Sequence, residues 1–344
     1  MELLNWKLAD LAPPDASAPT VFSCFHCGGG STMGYKRAGF RVLGGVEIDP
    51  AMMAMYRDNH HPALSYLMGV QDFAVLPDDK IDPRLFSLDV LDGSPPCSSF
   101  STSGAREKKW GTKSKFREGQ ADQVLDDLFF HFIAAAERLR PKVVIAENVK
   151  GLIVGKAKGY VKLIFQRFEQ AGYDVQLFLL NSSAMGVPQR RERTFFVARR
   201  RDLGLPKLSL SFSEKPITIG EALDGADQSG ARRLTDETRA LWARCALGDN
   251  LGTVHPRGSR FACYKQDPSR PANTITGSSI HEIMHWSEPR YLSADEIRRL
   301  QTFPSDYKFG KNEPHYVCGM SVPPFMMERV ARELRRQWFG ALEG

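Results

Sequence analysis

Thr20-Val-Phe-Ser-Cys24-Phe25-His26-Cys27-Gly28-Gly29-Gly30 is the stretch on which the reading of the fold turns. Residues 20–25 read as a strand, three glycines follow, and residues 31–38 read as a helix. Glycines at a strand-to-helix turn let the backbone approach a ligand closely, and a helix N-terminus favours polar ligand groups. A second strand over 41–48 closes on Glu47-Ile48-Asp49. An acidic residue about 20 positions beyond such a turn commonly bonds ribose hydroxyls. The pair implies a nucleoside-containing cofactor; the plainer alternative is a tight turn and a surface carboxylate. No G-x-G-x-x-G runs through the loop, which argues against a nicotinamide site.

The rhythm continues outward from this unit. Pro50 opens a helix over 50–59, a placement that suits the first helical turn. Residues 85–91 read as a strand. Residues 120–140 carry Val124, Leu125, Leu128, Phe132, Ile133 and Ala136 at helical spacing. A strand at 142–146, a helix at 161–171 and strands at 175–180 and 194–198 complete an α/β pattern, a mostly parallel sheet with helices on both faces. The alternation stops after about residue 203 and helices resume at 293–303 and 324–339. This divides the chain into a lead-in (1–19), a catalytic, cofactor-binding domain (20–204), a small separate domain (205–275) and a C-terminal part that returns to the catalytic domain (276–344).

Composition bounds the answer. The chain has 344 residues, 42% hydrophobic and 25% charged, values of an ordinary globular protein and not of a disordered or collagen-like one. Forty-six Lys and Arg against 40 Asp and Glu leave a net charge of +6, which is compatible with a polyanionic partner. No apolar run approaches the roughly 18 residues of a membrane span, and Met1–Asp10 lacks the pattern of a signal peptide. A cytoplasmic protein without a membrane partner is expected. Cys24-Phe-His-Cys27 has no second pair to complete a zinc set, so ordinary thiols and no metal are expected.

A second motif carries chemistry: Asp89-Val-Leu-Asp92-Gly-Ser94-Pro95-Pro96-Cys97-Ser98-Ser99-Phe100-Ser101. Two prolines stiffen the turn after a strand and place Cys97 at the carboxyl end of the sheet, where such folds bind ligands. A thiol there reads as a nucleophile. Glu147-Asn148-Val149 ends another strand on the same side. In Gln189-Arg190-Arg191-Glu192-Arg193 the alternation puts Arg191 and Arg193 on one face of an extended segment, a pairing that suits an anion. A solvated basic strand edge is the plain alternative.

In their order along the chain, Phe25–Gly30, Glu47, Pro95-Pro96-Cys97, Glu147-Asn148-Val149, Gln189–Arg193, Arg290–Pro304 and Gly319–Pro324 resemble the cytosine-5 DNA methyltransferases that use S-adenosyl-L-methionine. The resemblance spans residues 22–200 and 270–330. It implies a Rossmann-like class I methyltransferase fold with a small target-recognition domain at 205–275. It also implies methyl transfer to C5 of a flipped-out cytosine in a specific duplex sequence, leaving S-adenosyl-L-homocysteine. On this resemblance Cys97 attacks C6, Glu147 contacts N3 and the exocyclic amine, and Asn148 holds the cysteine loop. Arg191 and Arg193 orient the base, with Arg191 near its O2.

The cofactor residues it implies are Phe25 (on the adenine), Gly28, Gly29, Gly30, Glu47 (ribose), Ile48, Asp72 and Phe73 (adenine edge), Pro96 (facing the sulfonium) and Ser321. DNA contacts fall on Ser98, Ser101, Arg106, Lys108 and Lys109 in a loop that closes over the base, and on Arg257, Arg260 and Lys265 in the recognition domain. Double-stranded DNA is the partner, a monomer the working form, and a cognate restriction endonuclease a separate companion. The chain departs from the family's usual residues at Cys27, Ser94, Ser98 and Met320. A tRNA cytosine-5 methyltransferase of the same fold usually has Phe-Thr where this chain has Phe100-Ser101. A non-catalytic DNA-binding relative generally loses the cysteine or the Glu-Asn-Val segment, both of which are present here.

Overall fold

The computed structural model describes residues 2–96, 113–114, 123–124, 127–154, 158–258, 260, 262–277 and 283–340. The chain forms two compact units. The larger comprises Pro13–Leu180, Glu192–Leu210 and Glu328–Gly344. Its strands are β1 (Thr20–Cys24), β2 (Arg41–Glu47), β3 (Leu64–Leu67), β4 (Val90–Gly93), β5 (Val143–Val149), β6 (Tyr173–Asn181) and β7 (Glu192–Arg200). They make one sheet in the order β3-β2-β1-β4-β5-β7-β6. Neighbours from β3 to β5 run parallel, and β7 is antiparallel to β5.

β1 is buried along its whole length, as a central strand covered on both faces must be. The helices are α1 (Gly30–Arg37), α2 (Pro50–His60), α3 (Val70–Ala74), α4 (Leu128–Leu139) and α5 (Lys158–Gln170). Asp49 caps α2 by accepting from the backbone of Ala51 and Met52, with Pro50 in the first turn. α4 buries Leu128, Phe129, Phe132, Ile133, Ala136 and Leu139 against the sheet core.

The expected strand at 85–91 is displaced. Pro83–Ser87 forms a 3-10 turn in which Asp82 accepts from the backbone of Arg84, and the strand begins at Val90. β3 and α3, of four and five residues, are too short for periodicity to reveal. The helix expected from 120 starts at Leu128.

The parallel register sets the site. Cys24 is level with Val46 and with Gly93, and Gly93 with Ala146. The loop after β1, the end of β2, the arm after β4 and the end of β5 therefore emerge along one edge of the sheet.

The smaller unit comprises Met1–Ala12, Asn181–Arg191 and Ser211–Met327. It holds α6 (Ile219–Ala222), α7 (Asp236–Arg244), α8 (Ala294–Leu300), α9 (Pro314–Met320) and the paired β8 (Tyr264–Lys265) and β9 (Ile283–Met284). α10 (Pro324–Leu334) follows. Leu234, Leu241, Cys245, Leu251, Cys263, Met284 and Tyr291 form a core of this unit.

Residues 1–12 are not part of a free lead-in. Leu4 is fully buried and the Trp6 indole donates to the Thr302 carbonyl at 3.0 Å. The Pro/Ala/Ser composition that reads as linker starts only at Leu11. Likewise residues 276–327 cluster with 211–275, and of the C-terminal part only 328–344 joins the larger unit. There Glu328 binds Arg37 of α1 at 2.7 Å. Among the described residues no helix is long and apolar enough to cross a membrane.

Candidate active site

The loop after β1 reverses direction through left-handed backbone at Phe25, Cys27 and Gly29 (φ 57°, 46° and 74°). At Gly29 this needs glycine twice over, because a Cβ there would also lie 2.3 Å from His60 Nε2. Glu47, at the end of β2, locks the loop. Its Oε2 accepts from Cys27 N at 3.1 Å, and its Oε1 from Ile48 N and Asp49 N at 2.9 and 3.0 Å. Burial pushes the Glu47 carboxyl above its ordinary value, against the pull of these amides.

Behind the loop, His26 stacks on Tyr56 at 3.7 Å, and burial drives its pKa down to about 4. His60, also buried, is driven well below the usual histidine range. Both rings are therefore neutral packing groups near pH 7.

Gln71, on α3, is a residue that sequence reading missed. Its Oε1 is a buried acceptor with no donor among the described residues, and its amide folds over Gly69. No motif marks a lone glutamine in a five-residue helix. Its neighbours correct two expectations. Phe73 is sealed in the core, stacked on Phe22 at 5.6 Å and edge-on to Tyr66 at 5.1 Å. The Asp72 residue is exposed. A helix turns successive residues about 100° apart, so Gln71, Asp72 and Phe73 cannot share a direction.

The arm after β4 is held from β5. Asn148 Nδ2 donates to the Pro95 carbonyl at 3.0 Å, and Thr194 Oγ1 donates to the Asn148 carbonyl at 3.1 Å. Pro95 is buried and Pro96 half-buried. Beside Asn148, Glu147 is 8% exposed, and its Oε1 lies 3.0 Å from Arg193 Nε on β7. Burial lowers the Arg193 pKa while the carboxylate raises it. The antiparallel pairing of Glu147 with Phe195, two residues beyond Arg193, makes this contact possible. Cys97, Ser98, Ser101, Arg106, Lys108 and Lys109 lie outside the described residues.

Other expected residues serve the smaller unit. Arg191, 2% exposed, donates to the carbonyls of Ile275 at 2.7 Å and Gly319 at 3.0 Å. The guanidinium paired with the Glu147 carboxylate is thus that of Arg193, whereas Arg191, expected near the base O2, is turned to the Ile275 and Gly319 carbonyls. Gln189 ties Gln301 and the Ile275 backbone. The Ser321 hydroxyl donates to the Val317 carbonyl at 2.7 Å. Lys265, expected on DNA, places its ammonium 4.2 Å over the Trp242 ring and on the Trp242 and Cys245 carbonyls. Arg260 donates to Thr238 Oγ1 at 3.1 Å, while Arg257 is exposed. Among the described residues no group of three or more His, Cys, Asp or Glu could hold a metal ion.

The chain is 28% identical over 336 residues to the Type II methyltransferase M1.HphI of Haemophilus parahaemolyticus, covering 91% of this chain and 85% of that one. It is 31% identical over 385 residues to the Type II methyltransferase M.DdeI of Desulfomicrobium norvegicum, covering 93% and 88%. The fold matches the crystal structure of an Escherichia coli prophage protein described as a DNA modification methyltransferase, with a TM-score of 0.72 at 20% identity over 93% of this chain and 99% of that one. It also matches Spodoptera frugiperda DNMT2, with a TM-score of 0.60 at 17% identity over 92% and 99%. Residues 20–336 match the family described as C-5 cytosine-specific DNA methylase, and the chain belongs to that family, as a DNA (cytosine-5-)-methyltransferase.

Proposed function

We propose that this chain methylates C5 of a flipped-out cytosine in one short duplex DNA sequence, with Cys97 as the nucleophile and S-adenosyl-L-methionine as the methyl source. The observation that carries the reading is the coupling at the end of β5. Asn148 fixes the carbonyl of Pro95, two residues from Cys97, and the adjacent Glu147 is paired with Arg193.

The residues present fit the cofactor. Gln71 Oε1 is a buried acceptor that lacks a donor among the described residues, and an adenine amine supplies one. Glu47 offers a buried carboxylate to the ribose diol, and half-buried Phe25 an aromatic face beside it. When bound, S-adenosyl-L-methionine supplies an electrophilic methyl group on sulfur.

The chain's own residues make the cytosine able to accept it. Carbon 5 of cytosine is a poor nucleophile. Addition of the Cys97 thiolate to C6 pushes electrons toward C5, while Glu147 supplies or shares a proton at N3. Acid help of this kind is typically worth ~10²–10⁴-fold. Arg193 holds Glu147 in place and faces the base with it. After C5 has taken the methyl group, a base removes H5 and the Cys97 sulfur leaves, restoring the ring. The base must be extruded from the duplex, at a cost of a few kcal/mol. The basic segment over 98–118, with Ser98, Ser101, Arg106, Lys108 and Lys109, closes over it and contacts phosphates. Residues 205–275, with exposed Arg257, read the sequence. The enzyme works as a cytoplasmic monomer, with a cognate endonuclease acting separately.

Duplex DNA carrying 5-fluorocytosine tests the mechanism, since fluorine at C5 cannot leave as a proton and the Cys97 adduct persists. A denaturation-resistant adduct is expected with the wild type and S-adenosyl-L-methionine, and none with Cys97→Ser. An adduct that survives Cys97→Ser overturns the assignment.

A further inference from the structure

Asp92 is the penultimate residue of β4, level with Ser23 of β1 and Ile145 of β5, and is 3% exposed. Other buried acids of this chain have amide or guanidinium partners. Glu47 takes three backbone N–H groups and Asp49 two. Glu147 has Arg193, Glu296 has Arg290, and Glu328 has Arg37, Arg329 and Arg332. The Asp92 carboxyl receives neutral hydroxyls: Ser23 Oγ at 3.1 Å, Tyr35 Oη at 3.3 Å, and the hydroxyl of Ser31. Among the described residues no cation pairs with it. It sits under the first turns of α1, directly beyond the glycine loop, and three residues before Pro95.

A buried carboxyl without a counter-ion is costly to ionise, and a cation brought into the same low-dielectric corner changes that balance without touching it. Methyl transfer alters one charge on the cofactor, whose sulfonium becomes a neutral thioether, and Asp92 lies beneath the helix that the glycine loop opens, the loop taken above to cradle that cofactor. We propose that Asp92 is the residue through which the site distinguishes cofactor from product, its carboxylate favouring S-adenosyl-L-methionine over S-adenosyl-L-homocysteine and so promoting exchange after each turnover. This rests on the cofactor reading given above.

The groups facing Asp92 leave it as the switch near neutrality. Burial pushes Cys24 on β1, Tyr35 on α1 and Tyr56 on α2 upward, away from neutral pH. Glu147 on β5 is engaged by Arg193 of β7. Lys36, further along α1, is lowered to about 8 by burial, with its ammonium on the His60 carbonyl. Asp92 itself is raised to about 7, burial being the main cause.

Titration calorimetry of the full-length protein with each compound, between pH 6 and pH 8 and without DNA, tests the proposal. A cation that lowers the Asp92 pKa by one unit makes binding about tenfold tighter above the midpoint than below it. About a fivefold rise, the part of that change that falls between pH 6 and pH 8, is expected for S-adenosyl-L-methionine and less than about twofold for S-adenosyl-L-homocysteine. Asp92→Asn keeps the shape and the hydroxyl contacts, leaves the ligands' own titrations in place, and removes the difference. Tyr35→Phe deletes a donor to the carboxylate and moves the midpoint upward; it decides the matter if Asp92→Asn does not fold. A pH dependence unchanged in Asp92→Asn, or equal for both compounds, overturns the proposal. Failure of the wild type to bind either compound removes the cofactor reading itself, and the proposal with it.

Discussion

Arg193 Nε lies 3.0 Å from Glu147 Oε1, with the two side chains 13% and 11% exposed. This near-sealed pair joins β7 to β5 beside the Pro-Pro-Cys arm. The guanidinium offsets the cost of holding the carboxylate's charge in a nearly dry place.

Breaking the pair from either side has different consequences. Arg193→Ala leaves Glu147 buried without its partner and is expected to cost about 3–5 kcal/mol of stability, read by chemical denaturation. Glu147→Gln keeps the volume and a hydrogen bond to Arg193. It is expected to fold near normally while methyl transfer falls by ~10²–10⁴, measured in single turnover.

Arg191 serves a different end. Its two donors on the Ile275 and Gly319 carbonyls predict that Arg191→Ala destabilises the protein by roughly 2–4 kcal/mol, because two acceptors lose their partner. Arg191→Lys is expected to recover less than half of that, since one ammonium cannot reproduce the fork. Thermal melts of the three proteins check this.

Gln71 offers a direct test of the adenine contact. Gln71→Leu removes the acceptor that has no donor among the described residues and is expected to weaken S-adenosyl-L-methionine binding by about tenfold, the worth of one buried hydrogen bond. Stability should change little, because among the described residues no donor reaches its Oε1. Calorimetric affinity of the variant is the measurement.

Two buried groups act on stability in opposite directions over one pH range. His26, lowered to about 4, contributes stability fully above its unfolded value of about 6.5 and loses it as pH falls toward 4. Asp92, raised to about 7, contributes most below its unfolded value of about 4 and loses it as pH rises through 7. Each effect is of order 3–4 kcal/mol, so they nearly cancel between pH 4 and pH 7. Asp92→Asn is therefore expected to be stabilised relative to wild type at pH 8 and to lose stability on acidification more steeply. His26→Asn should show the reverse slope. Melting temperatures across pH 4–8 check both signs.

Much of this was legible in the residues. Glycines placed between a β-branched run and a helix identified the loop, and Glu47 followed at the spacing a second strand requires. The Pro95–Cys97 and Glu147–Asn148 segments declared themselves because proline and a carboxylate at strand ends are poor core residues. What was hidden depended on neighbours far apart in the chain. β3 and α3 span too few residues for a period to show, so the sequence marks neither Gln71 as a buried acceptor nor Phe73 as a core ring. Arg191 and Arg193 alternate along one segment, yet the partners that separate them, Gly319 and Glu147, lie 128 and 46 positions away. The apolar anchors Leu4 and Trp6 were overshadowed by the linker-like stretch that follows them. Asp92 stands in the segment before Pro95, and only its burial, with no cation beside it among the described residues, sets it apart.

The most direct test is to express the protein, and separately Cys97→Ala, in a host that lacks cytosine methylation and to read 5-methylcytosine across its DNA at base resolution. Methylation at C5 concentrated in one short sequence, present with the wild type and absent with Cys97→Ala, is the predicted result. Equal methylation from both proteins, or no 5-methylcytosine from soluble wild-type protein, would contradict it.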